Sequence, residues 1–173
     1  MLRNPFRPRL VPADTAPRTL REAQALHGDL RASLYFHRGE RFILSAVQDF
    51  SEYLEPVVLP ADVDDATLGQ ALLERLLAYS PATPDLRGYT MKDWRALQVS
   101  GACSRKQFEA ESDFVHVATR NVSLEFSACP RTSADPDLVA GAALVLDATP
   151  DEFGATVRKL LRAVQVLRQG GCY

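Results

Sequence analysis

The chain has 173 residues, of which 46% are hydrophobic and 24% are charged, and its formal net charge is −2. These values are typical of one globular domain with a real core, and no apolar run approaches the ~18 residues of a membrane span. Four prolines follow the basic start of the chain where a secretory signal would place an apolar run, so we expect a cytoplasmic protein. They are Pro5, Pro8, Pro12 and Pro17.

The charge is unevenly distributed along the chain. Residues 1–41 and 158–173 each carry +4, which leaves −10 for residues 42–157. No Lys or Arg occurs from residue 42 to residue 74, although that stretch holds seven acids. They are Asp49, Glu52, Glu55, Asp62, Asp64, Asp65 and Glu74. An acidic body disfavours nucleic-acid binding and favours a basic protein partner.

Residues 1–18 are rich in Pro and Arg and have no apolar periodicity, which predicts a flexible arm ahead of a single domain over 19–173. A capping box at 19–22 predicts a short helix over about 19–28. The apolar segments Ser33–His37 and Arg41–Val47 flank Gly39, which predicts a β-hairpin. We interpret His37 and Arg38 as the solvated tip of that hairpin.

Asp64 and Asp65 predict the start of a helix over about 65–79, because carboxylates stabilise the positive end of a helix. An apolar stripe follows at helical spacing. Its members are Leu68, Leu72, Leu76 and Tyr79. Ser80-Pro81 ends this helix, and residues 81–93 are expected to form a loop.

The segment from Trp94 to Val122 is ambiguous. Residues 94–99 fit a strand or a short helical turn, 100–101 a turn, and 104–110 a strand or a helix. Residues 114–117 favour a strand, Asn121 a turn, and 122–127 a half-buried strand with alternating apolar residues. Residues 129–138 are expected to be an irregular loop, and 142–146 a short apolar strand.

The last element has the clearest signals. Thr149-Pro150-Asp151-Glu152 places an N-cap, a first-turn proline and a capping-box glutamate in order, which predicts a helix over about 150–168. We expect its basic residues, Arg158, Lys159, Arg162 and Arg168, to lie late in the helix, where the helix dipole favours cations. Gly69 and Gly154 each lie one turn inside a helix, and we attribute them to close approach of helix and sheet. The predicted fold is α/β of the α+β type, with a mixed or mainly antiparallel sheet of about five or six strands and two main helices.

No catalytic motif is present. Phosphate-binding loops, a nucleophile elbow and a zinc-protease motif are absent, so we expect no catalytic residues, cofactor or metal. The three cysteines are odd in number and far apart and include no C-x-x-C pair, so we expect reduced thiols and not a disulfide framework. They are Cys103, Cys129 and Cys172. A cysteine-dependent hydrolase that pairs Cys103 or Cys129 with His37 or His116 stays open as an alternative. A nucleic-acid-binding regulator that uses Arg3–Arg9 is a second alternative.

The acidic stretch is the best candidate for a protein interface. Aromatic residues among carboxylates anchor interfaces, while the charge steers association. The predicted contacts are Asp49, Glu52, Tyr53, Glu55, Asp62 and Asp64. Asp49, Glu52 and Glu55 could also supply paired carboxylates for acid–base catalysis, but their spacing, with Tyr53 between them, favours a solvated turn.

Four short segments follow one another in a defined order along the chain. They are Arg31–Tyr35 with Arg38, Gly39, Phe42, Ser45, Tyr53 and Leu54; Val63–Gly69 with Ala71 and Leu72; Trp94 with Ser100, Gly101, Ser104 and Phe108; and Pro150–Gly154 with Val157. Their order and spacing, over about residues 31 to 165, resemble those of immunity proteins of bacterial contact-dependent growth inhibition systems.

The resemblance implies a small cytoplasmic, non-enzymatic protein that binds and neutralises a cognate toxin domain. Such toxins are commonly nucleases, whose active sites are basic because they bind polyanions. The implied partner is therefore a basic toxin C-terminal domain, with no direct contact to nucleic acid or membrane. An acidic inhibitor would complement that surface and associate rapidly.

Overall fold

The structure is a computed structural model, and it describes residues 19–48, 51–78, 94–129 and 139–169. The arm over 1–18, the loop predicted over 81–93, Tyr79 and Cys172 lie outside the described residues. So does the loop predicted over 129–138, except for Cys129, which is the last residue of a strand. The described helices are α1 (Leu20–His27), α2 (Asp65–Leu77), α3 (Arg95–Ser100), α4 (Arg105–Ala110) and α5 (Pro150–Gln169). The described strands are β1 (Arg31–His37), β2 (Arg41–Gln48), β3 (Ser51–Pro60), β4 (Ser112–Arg120), β5 (Ser123–Cys129) and β6 (Ala140–Val145).

The described strands form one six-stranded sheet in the order β3-β2-β1-β4-β5-β6, and every neighbouring pair is antiparallel. Strands β3 and β6 are therefore the outermost of the described strands. The α+β fold class is confirmed, with α2 and α5 as the main helices. The hairpin at Gly39 is also confirmed, with His37 paired to Arg41.

Each face of the sheet has its own apolar cluster. Helices α1, α2 and α5 pack on the first face, over side chains such as Leu34, Leu44 and Phe126. Helices α3 and α4 cover part of the second face, where Tyr35, Ile43 and Phe108 are buried. The alternation of side chains along each strand delivers successive residues to these two cores.

The helix starts follow the predicted capping signals. Thr19 and Glu22 form a capping box, and the Asp64 side chain accepts from the Thr67 N–H at 2.8 Å. At α5, Glu152 accepts from the Thr149 N–H at 2.7 Å. The two ambiguous segments resolve as the short helices α3 and α4, and Gly101 ends α3 in the left-handed conformation with φ 75°. The Ser104 hydroxyl caps α4 by accepting from the Gln107 N–H at 3.2 Å, whereas Trp94 makes no side-chain cap at the start of α3.

Three expectations were wrong. The solvated turn proposed within residues 49–55 is a strand from Ser51 onward, because it pairs with β2. His37 is fully buried instead of lying at a solvated tip, since its ring packs against Phe108 of α4. Val122 was assigned to a strand, but it lies in the turn before β5 and is 71% exposed.

The explanation given for the two helical glycines also needs correction. A Cβ on Gly69 would lie closer than 3.0 Å to the backbone of Pro150, and one on Gly154 equally close to the backbone of Asp65. The glycines therefore allow α2 and α5 to approach each other, and not the sheet. Arg158 likewise lies in the first half of α5 and reaches toward Asp65, where the helix-dipole argument does not apply.

Candidate interaction surface on strand β3 and helix α2

The predicted contact residues fall on one continuous segment, from strand β3 to the start of α2. Glu52 and Glu55 lie on β3, Asp62 lies in the turn that follows it, and Asp64 is the N-cap of α2. Asp49 is outside the described residues. Tyr53 is placed by its backbone only, opposite Ala46 of β2. The structure does not gather the four described carboxylates at one point, because Glu52 faces α3 whereas Asp64 caps α2.

Glu52 has a structural role. Its carboxylate accepts hydrogen bonds from the hydroxyl of Tyr35 and from the indole N–H of Trp94, the latter at 2.8 Å. Both donors belong to the aromatic cluster under α3 and α4, where the Tyr35 and Trp94 rings are 5.9 Å apart. Glu52 therefore links β3 to the apolar cluster on the second face of the sheet. Its carboxylate is less available to a partner, because it already accepts two hydrogen bonds within the fold.

Two residues further along, β3 forms a bulge. Leu44 pairs with Val57 and Ala46 pairs with Tyr53, so residues 54–56 lie opposite a single residue of β2. Leu54 adopts φ 63° and is 50% exposed. The left-handed conformation costs a residue with a Cβ about 1–2 kcal/mol, and such strain persists only where neighbours impose it.

Two helices hold this bulge from opposite sides. Arg75 of α2 donates from Nη1 to the Glu55 carbonyl at 3.2 Å, and the Glu55 carboxylate lies 4.0 Å from the Arg95 guanidinium of α3. Pro56 is buried, which fixes the backbone beyond Glu55. The Leu54 side chain is thereby presented outward beside an exposed carboxylate.

Asp62 and Asp64 remain exposed at the start of α2. The Thr67 backbone N–H, together with its hydroxyl, lowers the pKa of Asp64, which therefore stays ionised. No residue in the described part of the chain forms an ion pair with Asp62. Asp62 is therefore the predicted contact with the most freely presented charge, whereas the Asp64 carboxylate is bonded to Thr67 as the cap of α2.

The acidic run is compensated in space by cations that are distant in sequence. Arg158 of α5 donates to the Asp65 carboxylate at 2.6 Å, to the Ala61 carbonyl at 3.0 Å and to the Val63 carbonyl. Its guanidinium also stacks over the Phe42 ring at 5.2 Å. The absence of Lys and Arg from residues 42–74 thus overstates the local negative charge at Asp65.

An open cleft of about 630 Å³ adjoins this segment, between β3, α2 and the start of α5. Its floor is apolar and its rim carries two exposed acids, Glu74 and Asp151. The lining residues are Val57, Leu59, Ala66, Thr67, Gln70, Ala71, Glu74, Thr149, Pro150 and Asp151. Sequence reasoning missed this cleft, because it depends on the approach of α5 to α2.

A second polar cluster surrounds His37. Its Nδ1 lies 2.9 Å from the Ser112 hydroxyl, and its Nε2 lies 3.9 Å from the Glu111 carboxylate. Burial, followed by the nearby Arg38 charge, lowers the pKa of His37. Ser112 is only 1% exposed, so this serine, histidine and glutamate arrangement offers no accessible nucleophile.

The cysteine pairings raised by the sequence gain no support from the described residues. Cys103 and Cys129 are free thiols. Buried His37 is engaged by Ser112, and His116 lies opposite Ser33 and Ser127 in the sheet register. Across the described ranges, three or more metal-ligating side chains do not come together. Nor does any described helix combine the length and apolar character needed to cross a membrane.

Comparison with known proteins gives structural neighbours but no family. Neither a known protein family nor a curated protein matches the chain by sequence. A protein of unknown function from Neisseria meningitidis has 19% identity and a TM-score of 0.57, over 78% of this chain and 94% of that chain. A chain of the CdiA-CT/CdiI toxin and immunity complex from Yersinia pseudotuberculosis has 15% identity and a TM-score of 0.52, over 78% of this chain and 96% of that chain. The described domain therefore shares its fold with a component of a toxin–immunity complex.

Proposed function

We propose that this chain is an immunity protein that binds and neutralises a cognate contact-dependent growth inhibition toxin. The observation that carries the proposal is the fold shared with a chain of a toxin–immunity complex. The order of short segments in the sequence supports the same function. The acidic body, with −10 over residues 42–157, supports a basic partner.

The toxin that this surface would fit best is a nuclease domain. A nuclease binds a polyanion, so its substrate groove is positively charged, and an acidic protein would both steer toward it and exclude the substrate. The proposed contacts remain Asp49, Glu52, Tyr53, Glu55, Asp62 and Asp64. The contribution expected from Glu52 is smaller, since it is bonded to Tyr35 and Trp94.

Inhibition would proceed by binding, without a chemical step, cofactor or metal. Exposed carboxylates accelerate the encounter with a basic surface, while buried apolar contacts determine how long the complex lasts. The protein would act in the cytoplasm, where it would meet a toxin that had entered from a neighbouring cell or had been made in the same cell.

Co-expression with the C-terminal toxin domain encoded beside its gene tests the proposal. The chain should co-purify with that domain and restore growth to cells that produce the toxin. A toxin domain from an unrelated system is the matched control, because immunity is specific to each toxin. Absence of both co-purification and rescue would refute the proposed function.

A further inference from the structure

We infer that Leu54 is the apolar anchor of the toxin interface, and that it inserts into an apolar pocket bordered by Lys or Arg on the toxin. This inference rests on the proposed function and names the contact that function would use. The evidence is the combination, at one residue, of exposure, backbone strain and neighbouring negative charge.

The strain at Leu54 is not offset by full burial of its side chain. Leucine in the left-handed region is a conformational outlier, and the side chain remains 50% exposed, so little burial of its own offsets the strain. The bulge also places residues 54–56 opposite Ser45, whose buried hydroxyl has no hydrogen-bond partner among the described residues. Strained residues of this kind cluster at functional sites.

The surroundings keep the anchor rigid. Glu52 is fixed on one side by Tyr35 and Trp94, and Glu55 on the other by Arg75 and Arg95. A side chain held in its bound position loses little conformational freedom on association, which favours affinity. The bulge therefore presents Leu54 as a preorganised projection.

Charge identifies the kind of pocket that would receive it. The Glu55 carboxylate adjoins Leu54 and is 69% exposed, and Asp62 lies further along the same segment. Val58, on the same strand, adds a second exposed apolar side chain at 43%. An apolar centre with a carboxylate beside it complements an apolar pocket with a basic rim, as at the centre of many interfaces.

Leu54→Asn is the decisive variant, because Asn tolerates the left-handed conformation but removes the apolar side chain. We expect its affinity for the isolated, catalytically inactive toxin domain to fall at least tenfold, mainly through faster dissociation. Its urea unfolding midpoint should equal or exceed that of the wild type, which a structural role for Leu54 would not allow. Leu54→Met, which keeps an apolar side chain, should retain most of the affinity.

Val122→Asn is the matched control, since Val122 is an exposed apolar residue in the turn between β4 and β5, and β4 is three strands away from β3, which carries Leu54. It should bind within twofold of the wild type. If the wild type binds the toxin domain and Leu54→Asn binds it with the same affinity, Leu54 is not the anchor, but the proposed function stands. Failure of the wild type to bind would overturn both.

Discussion

Gly69 of α2 and Gly154 of α5 have reciprocal positions, since each lies against the first residue of the other's helix. A Cβ at Gly69 would meet the Pro150 carbonyl, and one at Gly154 would meet the Asp65 carbonyl. The obstacle at both positions is backbone, which cannot rotate away as a side chain can. The two helices are therefore locked at their N-terminal ends, and this contact shapes the cleft beside β3.

Alanine at either glycine should destabilise the fold. Gly→Ala in a helix normally gains up to ~1 kcal/mol, but here the helices must separate, and overpacking of this kind costs about 1–3 kcal/mol. We expect a net loss in the free energy of unfolding for Gly69→Ala and Gly154→Ala, measured by urea denaturation. Gly141→Ala is the control, because its added Cβ would have only an ordinary contact at 3.7 Å with the Phe126 carbonyl. Equal stability of all three variants would contradict the proposed lock.

The sequence predicted those features of the fold that depend on local signals. The cap at Asp64, the turn at Gly39 and the helix start at Thr149 were identified because each is encoded within four residues. Strand β3 was missed because its carboxylates resembled a solvated turn, and only its pairing with β2 makes it a strand. Burial of His37 was missed because α4, which covers it, is about 70 residues away in the chain.

The candidate surface was predictable in composition but not in geometry. The run of acids located β3 and the start of α2, yet nothing in the sequence indicates that Trp94 binds Glu52 or that Arg158 binds Asp65. The positive φ of Leu54 was equally hidden, because Gly or Asn usually signals such a position. Trp94 and Glu52 are 42 positions apart in the sequence, and Arg158 and Asp65 are 93 positions apart.

Arg158 should be essential for docking the segment before α2. Replacement by Met would leave the Asp65 carboxylate and two backbone carbonyls without their donor, at a cost of about 2–3 kcal/mol in the free energy of unfolding. Lysine should recover only part of this loss, because it lacks the planar fork of donors. Arg162→Met is the control on the same helix, since Arg162 is exposed. A loss at Arg162 as large as that at Arg158 would contradict this role.

Stability should decline as the pH falls below the ordinary histidine value of ~6.5. Burial lowers the pKa of His37 and of His116, so the unfolded chain binds protons in a range where the folded chain does not. Each contribution is therefore present at neutral pH and is lost as the pH decreases through the folded pKa. Urea midpoints from pH 7.5 to 5 should show a shallower slope for His37→Gln than for the wild type. Identical slopes would exclude His37 as a contributor.

The contribution of the Glu111–Arg38 ion pair to stability should depend on pH in a separate, more acidic range. The hydrogen bond from Arg38, assisted by Gln107, lowers the pKa of Glu111. Its contribution is present above the unfolded glutamate value of ~4.3 and is lost below it. A comparison of Glu111→Gln with the wild type should therefore show stability curves that converge at acidic pH. Curves that stay apart by the same amount down to pH 3 would contradict this assignment.

Charge reversal at Glu55 and Asp62 should slow association with the toxin and make it less sensitive to salt. These two acids are exposed and are not fixed in caps. Glu52 is left unchanged, because its reversal would remove the hydrogen-bond acceptor of Tyr35 and Trp94 and would alter stability as well as binding. Because rim charges act mainly on the encounter, the association rate should fall by about tenfold at low salt while dissociation changes little. The pair Asp29→Lys and Glu125→Lys makes the same change in net charge away from β3, since Asp29 precedes β1 and Glu125 lies on β5. If both double variants slow association equally, net charge and not the local surface controls the encounter.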